Sequence, residues 1–116
     1  MDLSKYKISD NTLIEQAIQM IELNSTRCVM VHNRLNKVIG IVSEGDILRS
    51  ILKGISIMSP VKQIMNINFI YLMEKDDDKI LSLFKSGITL IPILDQNFQL
   101  IEAVELVQYF NDKNKK

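Results

Sequence analysis

The chain has 116 residues, 47% of them hydrophobic and 24% charged, the balance of one globular domain above the size that needs disulfide or metal staples. Its 14 Lys and Arg offset 14 Asp and Glu, and with zero net charge a nucleic-acid partner is not expected, since that would need cations in excess against phosphates. A lone cysteine, Cys28, excludes an internal disulfide and points to a reducing, cytoplasmic setting. The first residues, 1–7, lack the apolar core of a signal peptide. The longest apolar run, 88–94, is far short of the roughly 20 residues that span a bilayer, so no membrane role is expected.

In chain order, a short extended stretch at 7–9 precedes a helix. Thr12 and Glu15, three residues apart, fit a capping box. Leu13, Ile14, Ala17, Ile18, Ile21 and Leu23 then recur at helical spacing until Asn24 and Ser25 end the segment. Two β-rich runs, 28–31 and 37–42, joined by the polar turn 32–36, read as a hairpin. A helix over 45–53 has Ile47, Leu48, Ile51 and Leu52 on one face and Gly54 as its stop. Residues 55–68 form a connector and lead-in, interrupted by Pro60. A strand is expected at 69–72. Next come Glu74, Asp76, Asp77 and Asp78 at a helix start, where the macrodipole favours negative charge. Ile80, Leu81, Leu83 and Phe84 form that helix's buried face, and Gly87 ends it. Strands at 88–94 and 99–104, a last helix over 105–111 and a polar tail at 112–116 complete the chain.

Three consecutive acids on a helix point in different directions, so Asp76–Asp78 predict no metal site. His32 is expected as exposed turn surface and Cys28 as a small core residue. One His and one Cys without a nucleophile–base pairing leave no catalytic residues to name, and no enzymatic activity is expected.

The two halves superpose without a gap at a shift of 62 residues. Ile8, Ile18 and Ile21 fall on Ile70, Ile80 and Leu83; Cys28, Val29 and Val31 fall on Leu90, Ile91 and Ile93; Val38, Ile39 and Val42 fall on Leu100, Ile101 and Val104. Burial class agrees through strand, helix, strand, strand and helix, the mark of a tandem duplication. Each half is too small to bury its own sheet and helices, so the two are expected to pack about a pseudo-twofold axis with ligand-sized clefts along the interface.

The stretch 38–48 is the most chemically pointed. It reads as strand, flexible turn at Gly45 and helix start, with Ser43 and Asp46 three residues apart. One reading is a helix cap, Ser43 capping and Asp46 answering as a shortened capping box. The other is a site where free backbone N–H groups and two oxygen-bearing side chains meet a hydroxylated ligand. The second half lacks both residues and is expected to form its helix without them. That favours the ligand-binding reading, with capping as a concurrent role.

A β-α-β-β-α unit present twice and ending in Gly40-Ile41-Val42-Ser43-Glu44-Gly45-Asp46 resembles the CBS domain pair, or Bateman module. Ile91-Pro92-Ile93-Leu94-Asp95 is similar to a strand of that family. The resemblance implies an α/β (α+β) fold of two tandem CBS repeats, 7–54 and 69–111. It also implies a regulatory module that requires no cofactor and binds AMP, ADP, ATP or S-adenosylmethionine. By the family pattern Asp46 accepts from both ribose hydroxyls and Ser43 helps hold ribose and phosphate, as suits an acceptor-only carboxylate and a vicinal diol. The adenine would lie near Ile8 and the strand entry at Arg27 and Cys28, with Arg27 and Arg49 as phosphate partners. The second half places Glu105, Gln108 and Glu102 where the first has Ser43, Asp46 and Gly40. This predicts at most one nucleoside site, in the first half. The run 40–54 is further similar to CBS pairs that precede sugar-phosphate nucleotidyltransferase domains, although Leu48 replaces an arginine of that pattern, and 113–116 would then be a linker to a catalytic domain. The alternative is a ligand-free dimerisation or interaction module, and a homodimer is expected in either case.

Overall fold

A computed structural model describes residues 2–114. Its elements are β1 (Lys7–Ser9), α1 (Ile14–Asn24), β2 (Cys28–His32), β3 (Val38–Ser43), α2 (Glu44–Leu52), α3 (Asp77–Lys85), β4 (Leu90–Leu94), β5 (Leu100–Glu105) and α4 (Leu106–Asn114). Single 3-10 turns occur at Ser4–Tyr6 and Val61–Gln63. The strands form two sheets, ordered β1-β2-β3 and β4-β5. β1 runs parallel to β2, and β2 and β3 form the expected hairpin.

The duplication is visible in the backbone. β2, β3 and α2 recur as β4, β5 and α4 with every boundary displaced by 62 residues. Cys28 faces Ser43 as Leu90 faces Glu105, and the bulge between Val31 and His32 reappears between Ile93 and Leu94. Each half has its own core. Ile8, Ile14, Ala17, Ile21, Val29, Val31 and Val42 fill the first, and Ile80, Phe84, Ile91, Ile93, Val104 and Tyr109 the second. A third core joins the two, with Tyr6, Met30 and Val38 packed against Leu90, Leu94 and Ala103. Alternate residues of each strand face opposite sides, which lets β2 give Val29 and Val31 to its own half and Met30 to the junction.

Several boundaries differ from expectation for identifiable reasons. The strand expected at 69–72 is reduced to one parallel bridge, Leu72 with Ile93. Leu72 N donates to Pro92 O at 3.0 Å and Leu94 N to Leu72 O at 2.9 Å. The next ladder bond back along β4 would need an N–H at position 92, and proline has none. The Thr12–Glu15 capping box does not form either. The connector lies across the start of α1, where Ile14 N donates to Ser59 O and Glu15 N to Ile57 O, both at 2.9 Å, so connector carbonyls take the donors a cap would have satisfied. Gln16 Oε1 accepts from Leu13 N at 3.1 Å instead. The last helix continues to Asn114, so the expected tail at 112–114 is its final turn, where Lys113 pairs with Asp77 at 3.0 Å. Residues 115–116 lie outside the described chain. His32 is the end of β2, half-buried, rather than turn surface.

One polar side chain lies where these segments meet. Asn24, 8% exposed, ends α1 and donates through Nδ2 to Lys5 O at 2.9 Å and Cys28 O at 3.1 Å. Its Oδ1 accepts from Thr26 N at 2.9 Å and Thr26 Oγ1 at 2.8 Å. Truncation would strand several buried polar groups, each costly to leave unpaired. Asn24→Ala is therefore expected to lower stability by about 1–3 kcal/mol, read as a lower urea midpoint at unchanged m-value. No change in midpoint would contradict this assignment.

Candidate ligand-binding cleft

The start of β2, the β3–α2 junction and the start of β4 face one another across the boundary between the halves. They enclose a cleft of about 460 Å³, open to solvent on one side and within the size range of small-molecule sites. Arg27, Cys28, Ile41, Ser43 and Gly45 form one wall, Thr89 and Leu90 the other, and Asn66, Asn68, Phe69 and Ile70 of the lead-in contribute the remainder. Thr89 Oγ1 donates to Thr26 O at 2.6 Å, which ties the two walls together.

Local sequence explains the shape. Arg27 has φ +69°, a strained value for a residue with a side chain. It is held there because its carbonyl accepts from Glu44 N at 3.0 Å, the first residue of α2. Leu106 N donates to Thr89 O in the same way, 62 residues on. Gly40 allows the lead-in to lie on β3. A β-carbon at position 40 would meet Met65 Sδ at 2.8 Å and Asn66 O at 3.2 Å, and Asn66 N donates to Ile41 O at 2.8 Å across that contact.

Ser43 and Asp46 form a reciprocal cap on α2. Ser43 N and Oγ each lie 2.9 Å from Asp46 Oδ2, and Asp46 N donates to Ser43 Oγ at 3.1 Å. The other oxygen, Oδ1, accepts from Arg49 Nη2 at 2.8 Å. The second half is capped as well, by one residue. Glu105 Oε1 accepts from Val107 N and Oε2 from Gln108 N, both at 3.0 Å. The last helix forms without counterparts of Ser43 and Asp46, but it is capped: Glu105 takes the Gln108 N–H, the counterpart of the Asp46 N–H that Ser43 takes, so absence of that pair in the second half does not speak against capping in the first.

The residues singled out from sequence separate into three groups. Arg27, Cys28 and Ser43 lie together on the cleft wall. Asp46 and Arg49 line a smaller adjoining cavity of about 220 Å³, with Lys53, Gln63 and Met65. Ile8, 7% exposed, is buried in the first core and lines neither. Asn66, Asn68 and Thr89 were not singled out. The shift of 62 pairs Arg27 with Thr89, so the opposite wall was within reach of the repeat.

Cys28 packs against the shared core, and burial pushes its thiol up to about 11 despite the Thr26 hydrogen bond. For a group raised in the fold, the linked stability is fully present below the unfolded value and is lost as pH rises toward the folded one, here between about 9 and 11. At pH 8 alkylation by iodoacetamide should run roughly ten- to a hundredfold slower than for a free thiol, since little thiolate is present. Labelling at the free-thiol rate would show the site to be open.

Among the described residues no group of three or more His, Cys, Asp or Glu side chains is placed to hold a metal ion, and no helix is long and apolar enough to cross a membrane.

Residues 4–53 match the family model of the CBS domain. No curated protein matches the chain. Among solved structures, a protein described as an acetoin utilization protein (AcuB) from Vibrio cholerae superposes with TM-score 0.81 at 15% identity, covering 93% of this chain and 82% of that one. The CBS domain protein PAE2072 from Pyrobaculum aerophilum, complexed with AMP, gives 0.71 at 16% identity, covering 96% and 84%. The CBS domain pair of protein MJ0100, in complex with 5′-methylthioadenosine and S-adenosyl-L-methionine, gives 0.73 at 18% identity, covering 94% and 90%. With residues 4–53 matched by the CBS domain model and 94% of its length by a solved CBS domain pair, the chain has the fold of a CBS domain pair.

Proposed function

We propose that this chain is a regulatory module that binds one adenine nucleotide in the cleft between its halves. The observation that carries the reading is the convergence of Ser43, Gly45, Arg27 and Thr89 on a cleft of nucleoside size at the N-terminus of α2. That terminus supplies a positive dipole end suited to an anionic ligand. A solved CBS domain protein complexed with AMP, and a solved CBS domain pair in complex with 5′-methylthioadenosine and S-adenosyl-L-methionine, support the ligand class. Asp46 and Ser43 are assigned to the ribose, Arg27 and Arg49 to phosphate, and Cys28 to the base. The site is single. In the second half Glu105 would repel phosphate, and Tyr6, the counterpart of Asn68, is packed into the shared core where Asn68 is exposed.

The module would act without chemistry of its own and without a required cofactor, in the cytoplasm. It would shift an attached or partner domain by no more than the ligand's differential affinity for that domain's two states. The likeness of residues 40–54 to CBS pairs that precede sugar-phosphate nucleotidyltransferases supports placing it as the sensor region of such an enzyme. An open reading frame after codon 116 encoding a glycine-rich nucleotidyltransferase loop is the direct check on that placement.

Calorimetric titration of AMP, ATP and S-adenosylmethionine tests the binding reading. Asp46→Ala is expected to weaken the best ligand by about ten- to a hundredfold, the range for losing hydrogen bonds to a charged group. Equal heats for wild type and variant would remove Asp46 from the site. No heat from any of the three would remove the reading.

A second reading, a homodimeric interaction module, is favoured by a separate observation. Leu48, Ile51 and Leu52 on α2 and Val107 and Phe110 on α4 are exposed apolar side chains on helices that flank the sheets. Sedimentation equilibrium should show a dimer that Leu48→Glu with Leu52→Glu converts to monomer. A monomeric wild type would exclude it.

A further inference from the structure

The carboxylate assigned to the ribose already has a partner on its own helix. Arg49, one turn after Asp46, donates through Nη2 to Asp46 Oδ1 at 2.8 Å. Its guanidinium reaches that oxygen by lying across Gly45: a β-carbon at position 45 would come within 3.1 Å of Nη1 and 3.4 Å of Nη2. Gly45 walls the main cleft, whereas Asp46 and Arg49 line the smaller cavity beside it. The guanidinium therefore lies on the ridge between the two. Asp46 Oδ2 is committed to the helix cap through Ser43 N and Oγ, so Arg49 covers the oxygen with the more acceptor capacity to spare.

We propose that Arg49 is a specificity-determining latch on this site, selecting 5′-phosphorylated nucleosides over bare nucleosides. The proposal rests on the nucleoside reading above and deepens it. In the resting arrangement the guanidinium holds Asp46 Oδ1. A ribose diol takes its place, and the freed guanidinium turns to the ligand's phosphate, whose oxygens it grips in a planar fork. The latch is weak enough to open. Arg49's side chain is 64% exposed, and an exposed pair of this kind restrains binding by at most about fivefold. A ligand with a phosphate recovers that loss through the released cation, and a ligand without one does not. Gly45 leaves the guanidinium room to lie close over the helix start, where a β-carbon would press it outward by a few tenths of an ångström.

The test is calorimetry of adenosine and AMP on wild type, Arg49→Gln and Arg49→Lys. The expected signature is opposite in sign for the two ligands. Arg49→Gln should bind adenosine about two- to fivefold more tightly, since no cation has to be displaced, and AMP several-fold more weakly. Arg49→Lys should recover part of the AMP affinity. On an Asp46→Ala background, Arg49→Gln should give no adenosine gain, because the latched carboxylate is gone. A merely structural Arg49 would move both ligands in one direction. Equal losses for both ligands, or no change in either, overturn the latch and leave the nucleoside reading standing. Failure of wild type and Arg49→Gln to bind either ligand overturns that reading, and the latch with it.

Discussion

The buried amide of Asn24 is the constraint on which the cleft depends. Its two donors and one acceptor oxygen fix the end of α1, the turn before β1 and the entry to β2 at one point inside the protein. Among the described residues no buried side-chain nitrogen or oxygen lacks a partner, so this polar cluster pays no desolvation penalty for being inside. From it the chain turns through Thr26 into Arg27, whose left-handed backbone would be costly in a free loop but is held here from both sides. Thr26 O accepts from Thr89 Oγ1, and Arg27 O from the first N–H of α2. One satisfied amide thus positions both walls of the cleft and the helix terminus that faces it.

Much of the fold was legible because duplication doubled the signal. Strands too short to assign singly became secure when 28–31 and 90–93, or 38–42 and 100–104, showed the same apolar pattern. What stayed hidden was decided by contacts distant in sequence. The connector's carbonyls, not Thr12, satisfy the first turn of α1, and nothing within residues 10–15 announces that Ser59 and Ile57 will be there. Pro92 stands inside β4, and its cost falls on the neighbouring segment, where it limits 69–72 to one bridge.

The site was legible in the same uneven way. Spacing alone named Ser43 and Asp46, and the capping geometry follows their spacing. It did not show that a glutamate at the end of the strand could cap the helix alone, as Glu105 does, because a longer side chain reaches two successive N–H groups unaided. Nor did it show which apolar residue lines the cleft. Ile8 was named from the family resemblance, but its side chain is buried in the first core, while the opposing alternation of β2 sends Met30 to the junction between halves.

Divergence between the copies then has a physical direction. Where the first half has Gly40, the second has Glu102, whose carboxylate pairs with Lys75 at 2.9 Å instead of leaving room for a crossing chain. Where the lead-in has Asn68 at the rim, the N-terminus has Tyr6, 5% exposed and packed between the halves. Burying a tyrosine ring at the junction strengthens the core that holds the halves together, since aromatic side chains contribute large apolar area. The two copies thus differ in what occupies the space beside their sheets: a crossing chain and an open cleft in one, a buried ring in the other.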